Sequence, residues 1–350
     1  MNRLTRIAFA LLLGALTASC SNKGQGANSN AGGGGGIQIT GAGSTFVNPL
    51  MTKWAAEYAT ANPNVQINYQ AIGSGAGIQQ VTTGTVDFGA SDGPMTDEQL
   101  AGSKVGRILH VPVIMGATVA AYNLPGFTGE LKMTPDLLAS IFLGKITKWN
   151  DPAIAKANPG SSLPSTNILV AHRSDGSGTT YIWTDYLSKV SPEWKTKVGN
   201  NTSVSWPTGV GAKGNDGVAG MIRQTPGAIG YIEMTYADQN NIPYASIQNA
   251  SGKFIHPTAE GVAAAASSAQ IPDDFRFSLT NASGADAYPI GGTTWILLPM
   301  QPKDKARGTA LLAFTKWVLG PGQQFAPALH YAALPAPLVT RELQALGQVQ

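Results

Sequence analysis

The chain has 350 residues, of which 43% are hydrophobic and 12% charged, with a formal net charge of +3 at pH 7. This length favours two domains over one. The basic residues are scattered, which excludes the dense cationic patch typical of nucleic-acid binding. The 42 glycines and 22 prolines indicate many tight turns instead of long helical bundles.

The N-terminal segment has the pattern of an export signal. Two arginines precede an apolar run from Ile7 to Leu16, which is shorter than a typical transmembrane helix. We therefore predict a signal peptide over residues 1–19. Cys20, the only cysteine of the chain, follows a sequence that resembles a lipobox, although Thr17 stands where leucine is usual.

We expect Cys20 to be lipidated and to become the new N-terminus, which would anchor the protein to a membrane of the cell envelope. The alternative is a soluble secreted protein that is cleaved nearby. A single cysteine cannot form an intrachain disulfide, so it otherwise has little use in an exported chain. Residues 20–36 include five consecutive glycines, Gly32 to Gly36, and have the composition of a flexible tether.

The segment after the tether alternates between strand and helix patterns. The predicted elements are a strand at Ile37–Thr40, a helix with apolar spacing from Val47 to Tyr58, a strand at Val65–Tyr69, a short helix through Ile78 and Val81, and a strand at Val86–Ala90. This order indicates an α/β sheet in which helices connect the strands. Ligands of such sheets bind outside the carboxyl ends of the strands.

Three later segments complete the outline. Leu109 to Tyr122 and Thr294 to Met300 are apolar runs that we interpret as two extended crossings between lobes. Such a pair would form a hinge. Arg307 to Leu319 has the apolar spacing of a helix, which we expect to pack on the first lobe.

Four polar loops fall at predicted strand ends: Gly43 to Phe46, Gly73 to Gly77, Ser91 to Asp92, and Arg173 to Thr180. Taken alone, the first three are best explained as ordinary turns, with Ser44 or Thr45 as a helix N-cap and Asp92 as a turn residue. The fourth loop carries more polar chemistry than a turn requires.

The fourth loop reads Arg173-Ser174-Asp175-Gly176-Ser177-Gly178-Thr179-Thr180. It follows a strand-like apolar run from Ile168 to Ala171 and opens a predicted helix. Backbone N–H groups, hydroxyl donors and the positive end of a helix dipole therefore meet at one place. Arg173 adds a forked, permanently charged donor, and Asp175 is spaced to hold it. The pattern predicts a socket for a small oxyanion.

Patterns for other chemistries are missing from the sequence. There is no G-x-x-x-x-G-K-[ST] phosphate loop, no dinucleotide-binding glycine spacing, and no nucleophile elbow around Ser177. The four histidines are dispersed, which argues against a zinc site, and His172 beside the socket is expected to be structural. We therefore expect no metal, no cofactor and no catalytic residue.

Seven runs, found in the right order, give the chain a specific resemblance to a known family. They are Gly41–Phe46, Tyr69–Ser74, Val86–Asp92, Phe142–Ile146, Arg173–Thr180, Lys213–Val218 and Pro226–Tyr231. From about Ile39 to the C-terminus, the chain resembles the phosphate-binding protein of the high-affinity bacterial phosphate ABC importer.

The resemblance implies an α/β, two-lobe periplasmic-binding-protein fold (type 2, or Venus flytrap) with a central mixed sheet in each lobe and a two-stranded hinge. The lobes would comprise residues 37–111 plus 290–350, and residues 112–289. The implied function is high-affinity binding of inorganic phosphate in the cleft and its delivery to an inner-membrane ABC permease for import. The expected protein is a periplasmic monomer and not an enzyme.

Carried over position by position, the family's phosphate contacts fall on eight residues: Thr45, Phe46, Ser74, Asp92, Arg173, Ser177, Gly178 and Thr179. In the family, the arginine is also paired with the acid two residues on, here Asp175. Ser44 stands where some members have alanine, and Thr180 stands where others have serine. Neither difference is expected to alter the site.

Asp92 is the member of this set that would select the anion. An ionised carboxylate only accepts hydrogen bonds, so it pairs with a P–OH of hydrogen phosphate but opposes fully deprotonated sulfate. Arsenate also carries an O–H and is the expected competitor. Two alternatives stay open from the sequence, namely a phosphate-ester hydrolase and a phosphate-sensing surface lipoprotein that does not serve transport.

Overall fold

The computed structural model describes residues 36–350, so the predicted signal peptide, Cys20 and most of the glycine-rich tether lie outside the described residues. The strands are β1 (Ile37–Gly43), β2 (Val65–Gln70), β3 (Phe88–Ser91), β4 (Ile108–Tyr122), β5 (Lys132–Met133), β6 (Leu169–Arg173), β7 (Val210–Ala212), β8 (Ala228–Glu233), β9 (Ser246–Gln248), β10 (Phe254–Ile255) and β11 (Gly291–Pro299).

The helices connect these strands and pack against the sheet. They are α1 (Asn48–Ala61), α2 (Ser74–Thr83), α3 (Asp97–Ala101), α4 (Pro135–Phe142), α5 (Pro152–Ala157), α6 (Gly178–Val190), α7 (Pro192–Lys197), α8 (Gly214–Gln224), α9 (Met234–Gln239), α10 (Ala259–Ser267), α11 (Lys305–Leu319) and α12 (Ala336–Leu346), with short 3-10 helices at Pro321–Phe325 and Pro327–Leu329. Among residues 36–350, no helix has the length and apolar character needed to span a membrane.

The main sheet consists of two mixed halves that share one long strand. Its strand order is β2-β1-β3-β11-β4-β8-β6-β7. In the first half β1, β2 and β3 are parallel, and β11 lies antiparallel between β3 and β4. Beyond Ala117, β4 changes partner and pairs with β8, which is parallel to β6. This arrangement confirms the predicted α/β class with mixed strand directions.

The predicted strands around the polar loops are present, but they end one to three residues later than the sequence indicated. β1 continues to Gly43 because Gly41 to Gly43 pair with β3. β6 continues to Arg173 because Ala171 to Arg173 pair with β7. Parallel neighbours therefore extend these strands beyond their apolar cores, and the polar loops begin directly at the sheet edge.

Buried aromatic side chains support both halves of the sheet. The apolar face predicted for α1 is buried, and it includes Trp54 and Tyr58. α11 packs against β1 and α1, as the sequence indicated, with the ring of Phe314 5.1 Å from that of Tyr58. In the second half, the ring of Trp183 stacks on that of Tyr231 at 5.3 Å. These contacts hold the loops on rigid elements.

Candidate functional site

The structure brings together all eight residues that the resemblance assigned to the ligand. They lie in the four polar loops, after β1, β2, β3 and β6, and every one of them is buried. Even Thr45, the most exposed side chain of the set, has a relative exposure of only 5%. Polar groups that are buried so completely need partners, and the contacts among them define the site.

Arg173 is held in place from both its backbone and its side chain. Its backbone N–H donates to the hydroxyl of Tyr231 at 3.0 Å. Its guanidinium donates to both carboxylate oxygens of Asp175, at 2.7 Å from Nε and 2.5 Å from Nη2. The remaining nitrogen, Nη1, lies 3.4 Å from the hydroxyl of Thr179. The Arg173 side chain is 1% exposed, so this bidentate pair directs a buried positive charge at the socket.

Asp175 stays ionised in this arrangement. Burial alone would raise its pKa, but the hydrogen bonds and positive charge of Arg173 outweigh burial, and the pKa lies below its ordinary value. The backbone N–H of Gly214 also donates to Asp175, at 3.1 Å. Asp175 therefore offsets part of the arginine charge and fixes its direction.

The N-terminus of α6 presents the donors of the socket. Ser177 is the N-cap, and its Oγ accepts from the backbone N–H of Thr180 at 3.0 Å. Because that bond uses a lone pair, the hydroxyl hydrogen of Ser177 is available to a ligand. The N–H groups of Gly178 and Thr179 belong to the first helical turn, where no intrahelical acceptor exists.

The loop after β1 is held by three tyrosine hydroxyls. Tyr69 donates to the carbonyl of Ser44 at 2.7 Å, Tyr236 to that of Thr45 at 2.6 Å, and Tyr331 to that of Phe46 at 2.6 Å. In a trans peptide the C=O and the following N–H point to opposite sides. The first two bonds therefore turn the N–H groups of Thr45 and Phe46 away from the tyrosines.

Asp92 is the carboxylate of the site, and its two oxygens are unequal. Oδ1 accepts from the hydroxyls of Ser44 at 2.5 Å and Thr294 at 2.7 Å, whereas Oδ2 has a single longer contact with the hydroxyl of Ser74 at 3.4 Å. Burial raises the pKa of Asp92 to about 6, although the hydroxyl bonds and the charge of Arg173 oppose this rise. Above that pH the carboxylate is an acceptor whose Oδ2 has only this one long contact.

Asn215 connects loops from opposite halves of the sheet. Its Nδ2 donates to the hydroxyls of Thr45 at 2.9 Å and Thr179 at 3.1 Å, and its Oδ1 accepts from the backbone N–H of Glu233 at 3.0 Å. Sequence reasoning assigned no role to this residue. The signal was present in the run Lys213–Val218, which was noted only as part of the family resemblance.

Glycines allow the loops to approach closely. A Cβ at Gly178 would overlap Oδ2, Cβ and the backbone nitrogen of Asp92, and a Cβ at Gly73 would overlap the Asp175 carboxylate. The backbone N–H of Gly75 donates to the carbonyl of Gly176 at 2.9 Å. The four loops therefore pack closely into one buried, donor-rich cluster, called the chamber below, in which Oδ2 of Asp92 is the carboxylate oxygen with the least hydrogen bonding.

Comparison with known proteins identifies the family of this chain. A family model described as a PBP superfamily domain matches residues 26–321. The phosphate-binding protein PstS of Xylella fastidiosa (strain Temecula1) is 50% identical over 306 residues, which cover 87% of this chain and 83% of that protein. PstS of Pasteurella multocida is 47% identical, with coverage of 87% and 88%. The chain belongs to the PstS family of phosphate-binding proteins.

Solved structures share the PstS-family fold. A phosphate-binding protein from Stenotrophomonas maltophilia superimposes with a TM-score of 0.70 at 18% identity, covering 88% of this chain and 93% of that one. At such identity the likeness shows the fold alone, and it confirms the predicted periplasmic-binding-protein class. Membership of a family of binding proteins also confirms the expectation that the chain is not an enzyme.

Two expectations about Ser44 are wrong for this PstS-family chain. The N-cap position of α1 is Val47, which makes no side-chain cap, so neither Ser44 nor Thr45 serves as the cap. Ser44 was also expected to leave the site unaltered, yet its hydroxyl donates to Asp92. The loop is therefore more than a turn, because its hydroxyls and N–H groups face the chamber.

His172 has the structural surroundings that the sequence analysis favoured. Its ring stacks on that of Trp206 at 4.8 Å, and its Nδ1 lies 3.1 Å from the carbonyl of Arg173. Burial lowers the pKa of His172 below its ordinary value. The neutral ring therefore packs behind the socket at neutral pH.

Proposed function

We propose that this PstS-family protein binds inorganic phosphate in the buried chamber and delivers it to a membrane-embedded ABC permease for import. The proposed ligand contacts are Thr45, Phe46, Ser74, Asp92, Arg173, Ser177, Gly178 and Thr179. The observation that carries the proposal is the burial of many donors beside the Asp92 carboxylate, whose Oδ2 has only one long contact with the protein, whereas both oxygens of Asp175 are bound by Arg173.

The donor and acceptor pattern suits hydrogen phosphate. Arg173 supplies positive charge, while hydroxyls and backbone N–H groups donate to the oxygens of the anion. Asp92 accepts from the P–OH, which both neutral-pH forms of phosphate carry. Sulfate has no O–H at neutral pH, so it would place a lone pair against the carboxylate. Arsenate does have an O–H and is the proposed competitor.

Isothermal titration with phosphate, sulfate and arsenate at about pH 8 tests this function. We expect one phosphate per chain, competition by arsenate and far weaker binding of sulfate. Arg173→Gln should lose phosphate binding, whereas Arg223→Gln, an exposed control in α8, should not. Absence of phosphate binding, or equal binding of sulfate, would contradict the proposal.

We also propose that residues 37–111 plus 290–350 and residues 112–289 act as two lobes that close on phosphate. Support comes from β4, which belongs to both halves of the sheet, and from the contacts of Asn215 and Gly75 between loops. Phosphate would favour the closed form, which docks on the permease. Small-angle scattering should show compaction when phosphate is added, and identical curves would count against closure.

For its location, we propose that the mature protein begins at a lipidated Cys20 and faces the periplasm as a monomer. The support is the signal-like segment and the lone cysteine of the sequence. Metabolic labelling with a radioactive fatty acid should mark the wild-type chain but not Cys20→Ala. Labelling of both proteins would show that the lipid is attached at another residue. Sedimentation of the chain from residue 21 onward tests the proposed monomer.

A phosphate-ester hydrolase, the alternative enzyme, is not favoured. The relatives are binding proteins, and residues 36–350 contain no cluster of histidine, cysteine or carboxylate side chains that could hold a metal ion. Incubation with a chromogenic phosphate ester provides the test, because turnover by the purified protein would favour the enzyme. Growth of a deletion strain under phosphate limitation separates import from a purely sensing role.

A further inference from the structure

The carboxylate of Asp92 is fixed by two hydroxyls that lie outside the proposed ligand contacts. Ser44 and Thr294 both donate to Oδ1, at 2.5 Å and 2.7 Å, and both side chains are fully buried. The Oγ of Ser44 in turn accepts from the backbone N–H of Val47 at 3.3 Å. That bond uses a lone pair of Ser44 and leaves its hydrogen for Asp92.

Thr294 lies on β11 beside an irregularity in its pairing with β4. Thr294 pairs with Ile114 and Trp295 with Pro112, so Val113 of β4 is the extra residue. Successive side chains of a strand point to opposite faces, so Thr293 and Thr294 have different surroundings. The neighbouring Thr293 is also buried, but its hydroxyl has no hydrogen-bond partner within the described chain. Thr293 and Thr294 are therefore both buried on the same strand, but only the hydroxyl of Thr294 contacts Asp92.

With both donors on Oδ1, the carboxylate has only Oδ2 to offer an anion. Rotation of the carboxyl group would break the two shortest bonds of Asp92, and charge-assisted bonds of this kind are stronger than neutral ones. The same bonds favour the ionised form, because a protonated carboxyl accepts them less well. The arrangement therefore controls both the direction and the charge of Asp92.

We propose that Ser44 and Thr294 are positioning residues that keep Asp92 ionised with Oδ2 facing the anion, and that they set the lowest pH at which phosphate is selected over sulfate. The inference rests on the proposed phosphate-binding function. It concerns the selectivity and its pH dependence, since neither hydroxyl belongs to the proposed ligand contacts.

The charged and titratable groups around Asp92 lie on β6, β2 and α6. Arg173 on β6 is the cation that stabilises the carboxylate, and it is shared with Asp175. Tyr69 on β2 is neutral, since burial raises its pKa well above the ordinary value. Tyr181 and Asp185 on α6 line the small cavity beside Asp92. Burial brings the pKa of Asp92 to about 6, and the bonds from Ser44 and Thr294 lead the opposing effects.

Sulfate is the best probe, because its own charge is constant over the relevant pH range. Its dissociation constant should be measured by calorimetry from about pH 5 to about pH 8, alongside that of phosphate. In the wild type, sulfate binding should strengthen as the pH falls through about 6, where Asp92 takes up a proton and becomes a donor. In Ser44→Ala and Thr294→Val the same curve should lie about one pH unit higher, so that sulfate binds roughly fivefold tighter at pH 7 and roughly tenfold tighter at pH 8.

Two variants of β11 make the comparison sharp. Thr294→Ser keeps the hydroxyl and should restore the wild-type curve, while Thr293→Val removes a hydroxyl that does not touch Asp92 and should leave the curve unchanged. Melting temperatures identify any variant that fails to fold. If Ser44→Ala is unstable, the Thr294→Val and Thr294→Ser pair decides.

Superimposed sulfate curves for the wild type, Ser44→Ala and Thr294→Val, with tight phosphate binding in all three, would overturn the inference and leave the proposed function standing. An equal displacement by Thr293→Val would also overturn it, as would complete loss of phosphate binding at about pH 8 in folded variants. A wild-type protein that binds no phosphate would instead refute the proposed function itself.

Discussion

Replacement of Asp92 by asparagine should reverse the polarity of one wall of the chamber. Asparagine has the same shape, and its amide oxygen can occupy the Oδ1 position, where Ser44 and Thr294 both donate. The amide NH2 then replaces Oδ2 and faces the anion as a donor. Phosphate loses the acceptor for its O–H, and sulfate gains a donor in place of an opposing lone pair.

The size of this effect follows from the two changes at Oδ2. A hydrogen bond to a charged group contributes about 1.5–3 kcal/mol, and removing an unpaired opposing group is worth a comparable amount. Together they change the relative binding free energies of the two anions by about 3–6 kcal/mol, which corresponds to a loss of roughly 10²- to 10⁴-fold in the phosphate-to-sulfate ratio.

Calorimetry with both anions at about pH 8 measures the ratio directly. Asp286→Asn is the matched control, because that carboxylate is 82% exposed and pairs only with Lys253 at the surface. A ratio that is unchanged in Asp92→Asn would remove Asp92 from the selection of the anion. Loss of phosphate binding without any gain for sulfate would refute the predicted orientation of the amide.

Three further predictions concern other parts of the chain. Gly178→Ala should weaken phosphate binding about tenfold to a hundredfold in calorimetry, because its Cβ would overlap Asp92. Asn215→Ala should weaken binding by a similar factor, since two donors are lost and the buried N–H of Glu233 loses its acceptor. Burial raises the pKa of Glu342 from 4.5 to about 9, so folding favours the neutral carboxyl. Its contribution to the free energy of unfolding is therefore complete below pH 4.5 and is lost as the pH rises toward 9. In urea unfolding, Glu342→Gln should therefore gain up to about 3 kcal/mol over the wild type between pH 4.5 and pH 7.

Two of these variants have a matched control. Gly220→Ala adds a Cβ that meets nothing within 4 Å, so it should bind phosphate normally. Glu260→Gln changes an exposed glutamate and should not alter the pH dependence of unfolding. Equal phosphate binding by Gly178→Ala and Gly220→Ala would refute the steric argument. If Asn215→Ala binds phosphate as tightly as the wild type, Asn215 has no part in the site. If the stability curves of Glu342→Gln and the wild type are parallel, Glu342 is already ionised in the folded protein.

The fold class and the loops of the site were readable from the sequence because both depend on neighbouring residues. Alternation predicts a strand, apolar spacing predicts a helix, and a glycine- and hydroxyl-rich turn between them predicts an exposed set of donors. The Arg173–Thr180 loop contains its own arginine, carboxylate and helix start, so a single local segment predicted half of the anion socket. The other contacts were assigned through the family resemblance, which adds several such segments in order.

The partners of those loops were decided by strand order, which no local pattern encodes. Thr294 donates to Asp92 across 202 positions because β11 lies beside β3, and Asn215 reaches Thr45 across 170 positions. Ser44 was expected not to alter the site, because some members of the family have alanine at that position. A hydroxyl acquires a role only when folding buries it against a particular acceptor, and for Ser44 that acceptor is Asp92, 48 positions away.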